Sequence, residues 1–132
     1  MNGGAATVLV VDDEAVNLRL LDALLAPEGY TVLCARSGGE ALALAAAHAP
    51  DLIVLDVMMP AMDGLAATRL LRRDPVTAAI PVIALTALAM KEDQERSFAA
   101  GCDGYIAKPL RYQQLYALID SVLAAAAHGV AP

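Results

Sequence analysis

Two short apolar runs in this chain end in acid. Val8-Leu9-Val10-Val11 leads into Asp12-Asp13, and Leu52-Ile53-Val54-Leu55 leads into Asp56. Three carboxylates brought together repel unless a cation lies among them or one keeps its proton. A hard, oxygen-seeking ion such as Mg²⁺ suits such a set, because it takes one or two carboxylates and keeps several waters. Two more residues follow runs of the same kind: Thr86 closes Val82-Ile83-Ala84-Leu85, and Lys108 follows Tyr105-Ile106-Ala107. An acid-bound cation, a hydroxyl donor and an ammonium suit phosphoryl transfer, where catalysis is mostly positioning and charge neutralisation. Lys108 would bind a phosphoryl oxygen as a point charge, and Thr86 would donate a hydrogen bond to another. Taken singly, each residue has a plainer reading: an acid as helix cap, Lys-Pro as a turn, threonine as strand filler. Their joint placement favours the chemistry.

That placement depends on the elements. Short apolar runs rich in β-branched residues read as buried parallel strands. The pattern predicts strands over 7–12, 30–35, 52–56, 82–86 and 104–107. Helices alternate with them, over about 14–26, 39–48, from a cap at Asp63 to about 73, within 88–100, and over about 112–126. Pro27-Glu28-Gly29, Pro50, Asp74-Pro75 and Gly101 supply the stops. Five alternating units imply an α/β fold with a doubly wound parallel sheet, right-handed crossovers and helices on both faces. The simplest arrangement is the flavodoxin-like (βα)5 order 2-1-3-4-5. There the first and third strands are neighbours, so Asp12, Asp13 and Asp56 meet at the carboxyl edge, across the topological switch point.

The chain has 132 residues, 58% hydrophobic, which fits one domain with a real core. No apolar run approaches the roughly 20 residues that span a membrane, and no signal peptide opens the sequence; a cytoplasmic location is expected. A formal charge of −6 speaks against direct nucleic-acid binding. Cys34 and Cys102 form no CxxC pattern and read as reduced thiols. His48 and His128 read as surface residues.

The motifs Val11-Asp12-Asp13-Glu14, Leu55-Asp56-Val57-Met58-Met59-Pro60, Asp63-Gly64, Thr86-Ala87 and Lys108-Pro109 together resemble the receiver domain of bacterial two-component response regulators. The resemblance covers about residues 7 to 126, with the motifs in the right order on the right elements. It implies that Asp56 accepts a phosphoryl group from a phosphohistidine of a sensor histidine kinase or a histidine phosphotransfer protein. It implies Mg²⁺, with Mn²⁺ as a substitute, held by Asp12, Asp13, Asp56 and the Met58 carbonyl. Thr86 and Lys108 would bind the phosphoryl group, and Tyr105 would be the switch aromatic that turns inward as Thr86 moves. Met58 and Leu88 would flank the path of attacking water; both are apolar, which predicts a long-lived aspartyl phosphate. Such a domain is a self-phosphorylating and self-dephosphorylating signalling protein rather than an enzyme acting on a separate substrate.

The same resemblance orients the surfaces. Leu18, Leu21 and Leu25 have core spacing on the first helix, and Leu20 and Leu24 widen the stripe. With Asn17 they offer a docking face beside the acids, or simply a broadly buried helix. The fourth helix, fifth strand and fifth helix would form the output face toward a downstream protein effector, with Arg111 and Tyr112 in it. Residues 1–6 read as a flexible leader, 7–127 as the receiver domain and 128–132 as a short tail with no output domain. A stand-alone receiver is expected, monomeric or weakly dimeric, working as a phosphorelay shuttle, a phosphate sink or an allosteric regulator. The single-domain DivK/CheY-like type fits best, although 56–60 also resembles receivers fused to diguanylate cyclases. A phosphatase of the haloacid dehalogenase type would want an acid where Met58 stands, and no G-x-G-x-x-G marks a dinucleotide site.

Overall fold

The structure, a computed structural model, describes residues 6–59, 62–86, 91–108 and 111–127. Five parallel strands, β1 (Thr7–Val11), β2 (Thr31–Ala35), β3 (Leu52–Asp56), β4 (Val82–Thr86) and β5 (Gly104–Ala107), form one sheet in the order β2-β1-β3-β4-β5. The helices between and after them are α1 (Ala15–Leu25), α2 (Gly38–His48), α3 (Gly64–Arg73), α4 (Lys91–Ala100) and α5 (Tyr112–Ala127). The expected doubly wound, flavodoxin-like arrangement is the observed one.

Side chains alternate across a strand, so each strand feeds two cores. Val8, Val10, Val54, Ile83, Leu85 and Ile106 pack with Leu18, Leu21 and Leu25 of α1 and Leu115, Ile119 and Val122 of α5. Leu9, Val11, Ile53, Leu55, Val82 and Ala84 point the other way, onto Ala41 and Ala45 of α2 and Ala67 and Leu71 of α3. The alanine-rich composition thus has a structural outlet in α2, whose buried face is Gly38, Ala41 and Ala45.

Strand and helix ends depart from expectation by a residue or so, for local reasons. The first strand stops at Val11, leaving Asp12 just beyond it. Helix α1 ends at Leu25, and Ala26–Glu28 tightens into a 3-10 turn, because Pro27 cannot continue the α ladder. Gly29 closes that turn at φ 95. Helix α2 begins one residue early because Ser37 caps it. Its hydroxyl accepts from the Glu40 N–H at 3.1 Å, while the Glu40 carboxylate accepts from the Arg36 N–H at 2.7 Å. Asp63 caps α3 as expected, accepting from the Ala66 N–H at 2.8 Å.

Ala49 ends α2 in the left-handed region at φ 47, the one described non-glycine residue with positive φ. That conformation costs an L-residue about 1–2 kcal/mol, whereas glycine enters it freely. Ala49→Gly should therefore raise the urea midpoint, by about 0.5–1 kcal/mol of stability after glycine's extra chain entropy. An unchanged or lower midpoint would mean that Ala49 carries no strain.

At the amino-terminal edge of the sheet, the Arg72 guanidinium ties together the loops that precede β4 and β5. It donates to the Gly101 carbonyl from Nε at 3.0 Å and Nη2 at 2.7 Å, and to the Ala78 and Ile80 carbonyls from Nη1 at 3.1 and 2.6 Å. It also pairs with Asp103 at 2.8 Å, and Asp103 accepts from the Val82 N–H at 2.9 Å.

Candidate phosphoryl-transfer site

Register brings the acids together. β1 and β3 are paired with Val11 beside Leu55, so the next residues, Asp12 and Asp56, emerge side by side at the carboxyl edge. Asp12, Asp13 and Asp56 each offer an oxygen within 4.8 Å of the others. Asp12 and Asp56 are buried and Asp13 is half-buried. Each buried carboxylate is held by backbone two residues on: Asp12 Oδ1 accepts from the Glu14 N–H at 2.9 Å, and Asp56 Oδ1 accepts from the Met58 N–H at 3.0 Å.

Lys108 comes to the same point from β5. Its Nζ donates to Asp56 Oδ2 at 3.1 Å, and its backbone N–H donates to the Thr86 carbonyl at 2.7 Å. Thr86 ends β4, which pairs with β3, and is buried beside this group. One ammonium thus faces three carboxylates, leaving a surplus of negative charge. Burial pushes the Asp12 carboxyl above its usual range, and the nearby Asp56 charge adds to the rise; the Glu14 N–H, Lys108 and Asn17 oppose it. This all-oxygen, anion-rich donor set fits a hard divalent cation such as Mg²⁺. A cleft of about 490 Å³ adjoins the group, lined by Val57, Met58, Thr86 and α4 residues including Asp93 and Arg96.

Tyr105 is half-buried on β5, where burial and then the Asp93 charge raise its phenol. The Met58 side chain is 59% exposed. Leu88, Pro60, Ala87, Pro109, His128 and the expected tail lie outside the described residues, as does all of the expected leader except Ala6. On α1, Leu20 is exposed, and so is Val16, one turn earlier. Leu24 is partly buried against the core, so the wide stripe divides between core and surface. Asn17 is half-buried rather than exposed as its sequence position implied, because its amide is turned to the Asp12 carboxylate. Arg111 and Tyr112 are exposed at the start of α5, and the Tyr112 ring meets Tyr116 edge-on at 5.9 Å. The Tyr116 hydroxyl donates to the Leu24 carbonyl of α1 at 2.7 Å. Both cysteines are free thiols, Cys34 exposed and Cys102 buried, and His48 is exposed.

One residue beside the site escaped the sequence reading. Arg36, just past β2, reaches from Nη2 to the Asp13 carbonyl at 3.3 Å and braces the loop that carries two of the acids. A lone arginine after an edge strand reads as a solvated charge, and only the strand order shows its neighbour.

A five-stranded sheet in this order, with three acids, a threonine and a lysine at its carboxyl edge, defines a response regulator receiver fold, and the chain belongs to the response regulator receiver domain family, whose signature matches residues 8–120. It is 43% identical over 117 residues to the polar-differentiation response regulator DivK of Brucella ovis, covering 89% of this chain and 95% of that one. Among solved structures, it is similar to the chemotaxis protein CheY4 of Vibrio cholerae, with TM-score 0.85, 31% identity, and coverage of 89% of this chain and 98% of that one. It is also similar to the receiver domain of a sensor histidine kinase from Pseudomonas aeruginosa PAO1, solved with a magnesium ion coordinated in its active-site cleft. There the TM-score is 0.84 at 32% identity, covering 91% and 98% of the two chains. Receiver domains bind Mg²⁺ through an acidic cluster, and this chain groups the acids for one.

Proposed function

We propose that this receiver takes a phosphoryl group onto Asp56 from a phosphohistidine of a sensor histidine kinase or histidine phosphotransfer protein. The observation that carries the reading is the Lys108 ammonium 3.1 Å from Asp56 Oδ2, at the edge where Asp12 and Asp13 also meet. In the reaction an Asp56 oxygen attacks phosphorus and the phosphorus–nitrogen bond of the donor breaks. The bonding pair returns to the imidazole, which takes a proton as it leaves. Lys108 and Thr86 would neutralise and hold the phosphoryl oxygens. Mg²⁺, held by Asp12, Asp13, Asp56 and the Met58 carbonyl, would neutralise charge shared by the acids and the incoming group. The Met58 N–H orients the acceptor by holding its other oxygen.

Transfer would move Lys108 from its carboxylate contact toward the phosphoryl group and draw Thr86 to the same group. Tyr105, on the strand that precedes Lys108, would carry that shift to the α4-β5-α5 face. Exposed Arg111 and Tyr112 fit a protein effector there, and exposed Leu20 beside half-buried Asn17 fits a donor docking on α1. Among the described residues no helix is long and apolar enough to cross a membrane. The test is the mass of the intact protein after incubation with acetyl phosphate, with and without Mg²⁺. A single phosphoryl adduct that needs Mg²⁺ supports the reading; its absence under every condition leaves a domain that works by binding alone.

Mg²⁺ should also stabilise the fold, since it binds the folded cluster and not the unfolded chain. A roughly hundredfold excess over Kd corresponds to about 2.7 kcal/mol. The Asp12 carboxyl is raised above 3.8 by burial and then by Asp56. Protons therefore compete with the ion as pH falls through that raised value, and the gain shrinks on acidification. Melting curves across a Mg²⁺ titration, at neutral and mildly acidic pH, check both statements. No shift with Mg²⁺ at neutral pH would remove the metal from the account.

A further inference from the structure

Gly64 opens α3 with its backbone lying on the end of β3. A methyl group at its Cα would stand 2.4 Å from the Asp56 carbonyl oxygen and 2.9 Å from both the Leu55 Cδ1 and the Val57 Cα. The Gly64 N–H donates to the Val57 carbonyl at 3.0 Å, closing the β3–α3 loop on itself. Two of the three opposing atoms are backbone, so no rotamer change clears them. At Gly38, where α2 begins, the atom met is the Met62 sulfur at 2.7 Å, the movable end of a flexible side chain.

Relieving a 2.4 Å contact to the ordinary 3.4 Å spacing needs a shift of about 1 Å. The backbone that must move is that of Asp56 or of the first turn of α3. Asp56 is held between the Met58 N–H at 3.0 Å and the Lys108 ammonium at 3.1 Å, and both contacts depend on the chain path through residues 55–58.

We propose that Gly64 is a positioning residue for Asp56: its bare Cα lets the first turn of α3 rest on the Asp56 carbonyl, and that contact fixes where the acceptor carboxylate stands between the Met58 amide and Lys108. The inference rests on the phospho-acceptor reading above. It assigns a role in the reaction to a residue that meets Asp56 only at its backbone carbonyl, away from the carboxylate and the phosphoryl group.

The experiment compares wild type, Gly64→Ala, Gly38→Ala and Leu71→Ala for phosphorylation by acetyl phosphate at saturating Mg²⁺, at a temperature where circular dichroism shows all four folded. Leu71→Ala weakens the buried face of α3 away from the acceptor and controls for lost stability. Gly64→Ala should lower the limiting rate by roughly tenfold to a hundredfold, the scale of a 1 Å misplacement. Its half-saturating acetyl phosphate concentration should stay near wild type, and the two controls should keep the wild-type rate. A wild-type rate in Gly64→Ala, or an equal loss in Leu71→Ala, would overturn the proposal. Should Gly64→Ala not fold, Leu55→Val added to it removes the side-chain part of the clash and leaves the Asp56 carbonyl part. A double variant that still does not fold assigns Gly64 to stability and overturns the proposal. A wild type that takes no phosphoryl group overturns the acceptor reading, and this proposal with it.

Discussion

Asp56→Asn should take up no phosphoryl group from acetyl phosphate, and without Mg²⁺ it should melt above the wild type. The first half follows from chemistry, since an amide oxygen has neither the charge nor the nucleophilicity of a carboxylate. The second follows from two opposed effects. The Asp56 carboxylate is buried beside Asp12 and Asp13, and among the described residues Lys108 at 3.1 Å is the cation paired with it. Substitution removes a repulsion with two acids and an attraction to one ammonium, so the relief outweighs the loss. A net gain of about 1 kcal/mol is expected, the surplus over one charge-assisted hydrogen bond. The pH dependence has a definite sign. Asp12 is raised above 3.8 by burial first and the Asp56 charge second. A raised carboxyl penalises the folded state above its folded pKa, and the penalty vanishes as pH falls through that value toward the unfolded one. The stability gap between variant and wild type is therefore widest at neutral pH and narrows on acidification. A metal-free melting temperature for Asp56→Asn at or below wild type at neutral pH would refute the repulsion account.

Arg72→Ala should cost about 3 kcal/mol, measured as a fall in the urea midpoint. Hydrogen bonds to a charged group contribute about 1.5–3 kcal/mol each, and Arg72 serves three carbonyls and one carboxylate from a partly buried position. Solvent near its 23% exposed side chain replaces some of these, which brings the sum down to that range. Arg72→Lys recovers little, because a point ammonium cannot span carbonyls that a planar fork reaches together. Arg73→Ala, one residue on and exposed, should change stability by less than about 0.5 kcal/mol. Equal midpoints for the two alanine variants would show that Arg72 is merely a solvated helix end. The clamp lies at the edge opposite the acids, so the folded fraction of Arg72→Ala should phosphorylate at the wild-type rate.

What the sequence disclosed, and what it did not, divides by range. β3, β4 and β5 fall where expected because their ends are marked locally, by Asp56 and Thr86 at the carboxyl side and Pro81 and Gly104 at the other. The five polar residues of the candidate site were legible because strand order alone converts their positions along the chain into neighbours. The end of α1 was misjudged by a residue, since a proline signals a stop without saying what the last turn becomes. Arg72 reads as a favourable charge at a helix end; its partners at 78, 80, 101 and 103 come from loops that no local pattern links. Asn17 sits between two faces of α1, and periodicity could not tell that its amide turns to Asp12. Gly64 reads as an ordinary helix-start residue until a side chain is imagined in its place.

The strict alternation of the two cores also sets how the chain can change length. Removing one residue inside β3 would turn every later side chain of that strand to the opposite layer. Leu55 would exchange layers with Val54, and Asp56 would swing away from Asp12 across the sheet. An added residue inside β1 would do the same to two acids at once. The strands therefore act as fixed rulers, and insertions or deletions belong in stretches that touch neither acid nor layer. Changes of length are thus confined to the stretches where no ruler is being read.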